Sequence, residues 1–315
     1  MAISTDQGSE PTHFTAVEVA ERTGITLEQA RKLWRALGFP EAGEEAVYSE
    51  DDVRALRVLM DVIDTGLIDF DLAVNLTRGM GQTMARLSDW EFSALLHRIE
   101  ETGDAAGAAA IVHQAGELAG EFNKTFEELL VYAWRRHLAA ALARLEASQA
   151  DDVGTTQVTV GFADIVSFTA LSNTLTEAKI GDLVELFESR CADVVAVQHG
   201  RVIKSLGDSV LFVNDDPIRA YDTAEGIINV IGRDPRMPDV RLGLATGSVV
   251  MRLGDVFGPP VNMAARLTAV ARRNRIIIDE RTAAVLPEDQ FETRRLPARP
   301  VRGFGIVEPV AVRRH

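Results

Sequence analysis

The chain has 315 residues, of which 46% are hydrophobic and 25% charged, a globular composition with enough length for two domains. Its formal charge is −14, and the excess lies mainly in residues 1–150, where 25 acidic side chains face 13 basic ones; such a field repels nucleic acid and anionic membranes. The polar N-terminus, the absence of a long apolar run and the single cysteine, Cys191, predict a cytoplasmic protein with no membrane span and no internal disulfide.

The first part of the chain has the pattern of short helices. Thr15 and Thr26 are each followed three residues later by Glu or Gln, which predicts capping boxes at the start of two helices joined by a glycine turn. We expect more helices up to about residue 116, with breaks near Gly79–Gly81 and Thr102–Gly103. The pattern therefore predicts an all-α domain over residues 1–120.

One long amphipathic pattern occupies residues 121–148, with large apolar side chains at helical spacing from Phe122 to Leu145. The pattern predicts a linker helix over residues 121–150 that runs directly into the second half of the chain. Such a helix could be a core or dimer-contact element. Alternatively, it could transmit the state of the first domain to the second.

From residue 155 the hydrophobic pattern changes to the alternation of strands. A strand, a helix, two strands around a Leu-Gly-Asp-Ser turn, a helix and a strand follow in order, which is the βαββαβ arrangement of a ferredoxin-like domain. We expect a sheet with helices on one face, additional edge strands within residues 290–313, and an α+β domain over residues 151–315.

Two aspartates fall at the ends of neighbouring predicted strands. Asp164 ends the first strand, and Asp208 lies in the turn between the next two. Carboxylates so placed can hold two divalent cations against a triphosphate. Lys204 precedes Asp208 by four residues, and Asp255 lies in a glycine-rich loop. Taken singly these residues are ordinary, since an aspartate in a turn is commonly a turn former.

The joint pattern is more specific than its parts. The segments FADIVSFT, VIKSLGDSV and GDVFGPPVNMAARL occur in this order, and the last places Asn262 and Arg266 four residues apart on one helix face. With the K-x-x-x-D and D-x-x-x-x-x-x-N-x-x-x-R spacings, the region 155–313 resembles the class III nucleotidyl cyclases.

The resemblance implies a role for each of these residues. It implies that Asp164 and Asp208 bind the metal ions, with the carbonyl of Ile165 as a further ligand. It implies that Lys204 and Asp255 read the base.

The remaining residues would contact the ribose and the phosphates. The resemblance implies that Asn262 orients the ribose and that Arg266 stabilises charge on the reacting phosphate. It implies that Arg302 contacts the terminal phosphates.

The base-reading pair favours ATP as the substrate. A lysine donor and an aspartate acceptor match N1 and N6 of adenine, whereas guanine presents the reverse pattern and would leave polar groups mismatched. We therefore expect an adenylate cyclase that forms cyclic AMP and pyrophosphate by in-line attack of the ribose 3′-oxygen on the α-phosphate. Two Mg²⁺ or Mn²⁺ ions are expected in each active site.

A homodimer follows from the same resemblance. In class III cyclases the metal aspartates come from one catalytic domain and the remaining site residues from another. This chain has one such domain, which carries both the metal aspartates and the base-reading pair, together with Asn262 and Arg266. We therefore expect a head-to-tail homodimer with two equivalent sites.

Residues 14–78 resemble the winged-helix head of MerR-type regulators through the segments FTAVEVAERTGIT, RKLWRALGF and YSEDDVRAL. Where that family has a basic wing, this chain has the acidic EAGEEAVY. Because phosphate contacts provide most non-specific affinity for nucleic acid, the acidic segment argues against DNA binding.

The overall layout resembles soluble actinobacterial cyclases with a regulatory helical N-terminal domain. We expect the head to be an interaction or sensing module, with a small effector or a pH input acting on the N-terminal domain. His97, His113 and His137, which follow the head, are candidate pH sensors, and the alternative is that they are ordinary surface or core histidines. The alternatives are a DNA-binding regulator with a nucleotide-sensing C-terminal domain, or a catalytically inactive cyclase-like dimer used for interaction.

Overall fold

The computed structural model describes residues 13–102, 107–147, 155–252 and 254–315. The chain divides into two compact units, Met1–Leu142 and Ala143–His315. In the described ranges, no helix combines the length and apolarity needed to cross a membrane.

The first unit is built from helices. In chain order they are α1 (Ala16–Thr23), α2 (Leu27–Leu37), α3 (Glu50–Asp64), α4 (Phe70–Thr102) and α5 (Ala108–Ala147), the last of which ends in the second unit. The capping boxes predicted at Thr15 and Thr26 are confirmed, and Ser49 makes a third with Asp52 at the start of α3. A core around Leu33 holds α1 to α3 together.

Helix α4 continues through Gly79 and Gly81, so the expected break there is wrong. A side chain at Gly81 would overlap the backbone of Leu37, at the end of α2. This glycine therefore allows α4 to approach α2 closely rather than ending the helix. A break is also expected near Thr102–Gly103: α4 is described as far as Thr102, Gly103 lies outside the described residues, and the next described helix begins at Ala108.

Helix α5 is one uninterrupted element of 40 residues. It begins well before the predicted start at residue 121. Many of its large apolar side chains are more than 40% exposed within this chain. They include Phe122, Leu129, Tyr132, Trp134, Leu138 and Leu142.

The second unit has one large mixed sheet. Its strands are β1 (Thr155–Ile165), β2 (Arg201–Leu206), β3 (Ser209–Asn214), β4 (Val240–Arg252), β5 (Asp255–Phe257), β6 (Ile276–Ile278), β7 (Phe291–Arg295) and β10 (Val310–Arg314). A separate hairpin is formed by β8 (Arg299–Val301) and β9 (Gly305–Val307). The helices are α6 (Phe168–Ser172), α7 (Glu177–Val197), α8 (Pro217–Arg233), α9 (Pro259–Val270) and α10 (Glu280–Val285).

The order β2-β3-β1-β4 is antiparallel throughout and confirms the ferredoxin-like arrangement. The sheet then continues through β6 and β10 to β7, while β5 pairs with the far end of β4. Strand β10 is therefore interior, and the expectation that the last segment adds only edge strands is wrong for it.

Helices cover both faces of this sheet, so the expectation of helices on one face is also wrong. Helices α7 and α8 pack on the face that carries Ile165, and α9 packs on the face that carries Phe162. A side chain at Gly243 would overlap Thr268 and Ala264 of α9. The missing side chain thus allows α9 to lie directly on β4.

Candidate active site

Asp164 lies at the centre of a row of three side chains that crosses three strands. Its cross-strand neighbours are Ser209 on β3 and Arg241 on β4. The Ser209 hydroxyl donates to Oδ1 of Asp164 at 2.5 Å. Nε and Nη2 of Arg241 lie 2.7 and 2.6 Å from Oδ2. The Asp164 side chain is only 12% exposed, so protein donors rather than water set its orientation.

Asp208 follows Gly207 in the turn between β2 and β3. Gly207 has φ of 66°, a left-handed conformation that suits glycine. The Asp208 carbonyl accepts the N–H of Ile165 at 3.0 Å, which ties the turn to the end of β1. Partial burial and the negative charge of Asp164 raise the pKa of the Asp208 carboxyl above its usual value.

This like-charged pair suits a divalent cation. Carboxylate oxygens are the hard ligands that Mg²⁺ and Mn²⁺ prefer, and a cation would relieve the repulsion that raises the pKa of Asp208. Within the described residues, no group of three or more His, Cys, Asp or Glu side chains could hold a metal on its own. Two carboxylates with phosphate and water oxygens form the usual binding mode of Mg²⁺ beside a nucleotide.

Lys204 is directed by a bulge in β2. The β2–β3 register shifts between Val202 and Lys204, so Ile203 is the extra residue and Lys204 lies opposite Leu211. Leu211 belongs to the core beneath α9. Without the bulge, Lys204 would take the opposite face, because side chains alternate along a strand.

Lys204 and Asp255 are brought together as the sequence predicts. Nζ of Lys204 lies 2.5 Å from Oδ2 of Asp255, the first residue of β5. The other oxygen of Asp255 accepts the N–H of Val256 at 2.8 Å. Partial burial raises the pKa of Asp255, but the hydrogen bonds from Lys204 and Val256 and the Lys204 charge outweigh it, so the net pKa is lowered. The Asp255 carboxyl is therefore charged at neutral pH and can accept a hydrogen bond.

Asn262 and Arg266 lie one turn apart on the exposed side of α9. The opposite side of this helix is buried through Ala264 and Leu267. In the part of the chain that the structure describes, no hydrogen bond or ion pair links Asn262 or Arg266 to Asp164 or to the other site residues. A single chain thus pairs Lys204 with Asp255 and separately places Asp208 beside Asp164, and it leaves Asn262 and Arg266 facing outward.

Arg302 is exposed in the turn between β8 and β9. Its hairpin is separate from the main sheet, and in the described ranges no hydrogen bond or ion pair joins Arg302 to the aspartates.

Sequence reasoning missed Ser209 and Arg241. Both are recognisable only from the strand register, which places them on either side of Asp164. Arg241 also reaches α9, because its Nη1 lies 3.3 Å from the carbonyl oxygen of Ala269. The side chain that holds Asp164 therefore also contacts the last turn of the helix that carries Arg266.

Comparison with known proteins agrees with this geometry. Residues 151–312 match the family model described as the adenylate and guanylate cyclase catalytic domain. Residues 2–138 match the model described as the adenylate cyclase regulatory domain. The chain belongs to the adenylate and guanylate cyclase family, whose members use divalent metal ions, and the resemblance found in its motifs is confirmed.

Several of its relatives carry the name adenylate cyclase. The adenylate cyclase of Streptomyces coelicolor is 35% identical, over 94% of this chain and 84% of the relative. A protein of Mycobacterium tuberculosis named pH-sensitive adenylate cyclase is 30% identical, over 98% of this chain and 80% of the relative. Among solved structures, the catalytic core of a rhodopsin-guanylyl cyclase with converted specificity, in complex with ATPαS, is 25% identical. It covers 51% of this chain and 97% of that chain, with a TM-score of 0.48.

Proposed function

We propose that this chain is an adenylate cyclase that converts ATP to 3′,5′-cyclic AMP and pyrophosphate. The observation that carries the proposal is the 2.5 Å pair of Lys204 and Asp255, a donor and an acceptor that together match the N1 and N6 edge of adenine. The relatives named adenylate cyclase, which match nearly the whole chain, support the same activity. The family match over residues 2–138 is to a cyclase regulatory domain, so nothing favours the alternative of a DNA-binding regulator.

The aspartates would hold the metal ions. Asp164 and Asp208, with the carbonyl of Ile165, would bind two Mg²⁺ or Mn²⁺ ions together with phosphate oxygens. When bound, such ions lower the pKa of the attacking 3′-hydroxyl and neutralise charge on the phosphates. The chain itself supplies no nucleophile, since the attacking oxygen belongs to the substrate.

The remaining residues bind and orient ATP. The Lys204 ammonium would donate to N1 of adenine, and the Asp255 carboxylate would accept from the N6 amino group. Asn262 would fix the ribose for in-line attack. Arg266 would meet the negative charge that grows on the α-phosphate, where a donor lowers the barrier most. Arg302 is proposed to contact the terminal phosphates.

The complete site requires two chains. Asn262 and Arg266 face outward on α9, on the side opposite the one that packs against the sheet. In a head-to-tail homodimer, α9 of each chain would complete the aspartate half of the site on its partner. Each dimer would then hold two equivalent sites.

Regulation is proposed for the first part of the chain. We assign residues 1–120 to a regulatory domain, 121–150 to a transducer helix and 151–315 to the catalytic domain. A small effector or a pH input would act on the regulatory domain. His97, His113 and His137 are exposed on α4 and α5, and Nδ1 of His113 lies 3.6 Å from the Glu117 carboxylate. A protein of residues 150–315 with unchanged specific activity and effector response would contradict this assignment.

The test of the reaction uses purified full-length protein. Conversion of ATP, and separately of GTP, is measured with Mg²⁺ and with Mn²⁺, beside an Asp208→Ala variant. Cyclic AMP from the wild type and none from the variant would support the proposal. No cyclic product from either nucleotide, with either metal, would favour a catalytically inactive cyclase-like dimer.

A further inference from the structure

The two oxygens of Asp164 are held by different donors. An ionised carboxylate only accepts hydrogen bonds, so the Ser209 hydroxyl must be the donor to Oδ1. Arg241 directs both Nε and Nη2 to Oδ2. Each carboxylate oxygen has two lone-pair sites, and among the described residues Oδ1 accepts a hydrogen bond from Ser209 alone, which leaves its second site for a cation.

This arrangement differs from the usual pairing of arginine with a carboxylate. A guanidinium commonly forms two parallel hydrogen bonds, one to each carboxylate oxygen. Here both nitrogens converge on Oδ2 of Asp164, while Ser209 holds Oδ1 on the opposite side. If the hydroxyl of Ser209 were removed, the carboxylate could rotate and give both oxygens to Arg241.

We propose that Ser209 is a positioning residue for the metal site. Its hydroxyl keeps Oδ1 of Asp164 out of reach of Arg241 and available to a divalent cation shared with Asp208. The role rests on the proposed function, because Asp164 and Asp208 must be the metal ligands. Partners that orient metal ligands typically contribute about 10–100-fold in metal affinity.

The test measures metal binding apart from turnover. Full-length Ser209→Ala and Ser209→Thr proteins are titrated with Mn²⁺ and followed by electron paramagnetic resonance. The titration is made with 3′-deoxy-ATP, which binds without an attacking oxygen. We expect Ser209→Ala to weaken Mn²⁺ binding about 10–100-fold and Ser209→Thr, which keeps the hydroxyl, to stay close to wild type. In steady-state assays with ATP, the half-saturating metal concentration should rise more than the KM for ATP.

Two further variants complete the experiment. Ser172→Ala is the matched control, because within the described part of the chain its hydroxyl donates only to the Thr169 carbonyl of its own helix. Asp164→Asn should lose Mn²⁺ binding. If it does so while Ser209→Ala binds Mn²⁺ as tightly as the wild type, the role of Ser209 is overturned and the metal site stands. If Asp164→Asn keeps wild-type affinity, the metal site is overturned, and the role of Ser209 with it.

Discussion

Nζ of Lys204 and Oδ2 of Asp255 lie 2.5 Å apart, although 51 residues separate them in the sequence. One is carried by β2 and the other by β5, a short strand at the end of β4. Because both side chains are about one-third exposed, a base can approach the pair from solvent. This pair is where discrimination between adenine and guanine should be tested first.

Replacing Lys204 by methionine should weaken selection for ATP. The variant loses a hydrogen bond from a charged donor, worth about 1.5–3 kcal/mol, so kcat/KM for ATP should fall roughly 10–100-fold. The kcat/KM for GTP should change far less. Initial rates with both nucleotides measure the ratio, and Lys179→Met, at an exposed position of α7, is the control. An unchanged ATP-to-GTP ratio would argue against a base-reading role.

Mixing two inactive variants should restore activity if each site is built from two chains. Asp208→Ala and Arg266→Ala should each abolish turnover. After unfolding and refolding together in equal amounts, half of the dimers would be mixed, and each mixed dimer would hold one intact site. The mixture should therefore recover roughly a quarter of wild-type activity. If the complete site lay within one chain, the mixture would remain inactive.

Gly243→Ala should displace α9. The new methyl group would overlap Thr268 and Ala264, so we expect a loss of about 1–3 kcal/mol in unfolding free energy and a lower kcat through misplaced Asn262 and Arg266. Urea unfolding and ATP turnover measure the two effects. Gly232→Ala is the control, because a side chain at that position of α8 meets no neighbouring atom. Equal stability of the two variants would refute the close approach of α9 to β4.

Tyr221 should make stability depend on alkaline pH. Burial, together with the hydrogen bond to Glu225, raises the pKa of this phenol to about 12. The folded chain holds the proton more tightly than the unfolded chain, whose phenol has a pKa of about 10. The stabilisation is therefore complete below pH ~10 and is lost as the pH rises towards about 12.

The measurement compares wild type with Tyr221→Phe by urea unfolding across this range. Phenylalanine keeps the ring that packs edge-on against Phe291 but has no proton to lose. The advantage of the wild type should shrink as the pH rises. Parallel stability curves for the two proteins would show that Tyr221 does not titrate as expected.

Local signals in the sequence predicted much of this molecule. Capping boxes at Thr15 and Thr26 depend on residues three positions apart, and strand alternation and turn residues identified the ferredoxin-like order. The motifs also identified Lys204 and Asp255, which the structure pairs. Each of these features is either local or belongs to a motif of fixed spacing.

Features that depend on distant packing were missed. Gly81 looks like a helix breaker until α2 is seen beneath it, and Gly243 reveals its role only once α9 lies on β4. Ser209 and Arg241 become neighbours of Asp164 only through the register of three strands. Spacing along the chain does not encode such contacts.

The contact of Arg241 with both Asp164 and the Ala269 carbonyl has a consequence for kinetics. In the proposed homodimer, each chain contributes its aspartates to one active site and its α9 to the other. One guanidinium then contacts parts of both, so a shift of Asp164 at the first site reaches the helix that serves the second. The two sites of a dimer would therefore be coupled, and the dependence of the rate on ATP concentration would be cooperative.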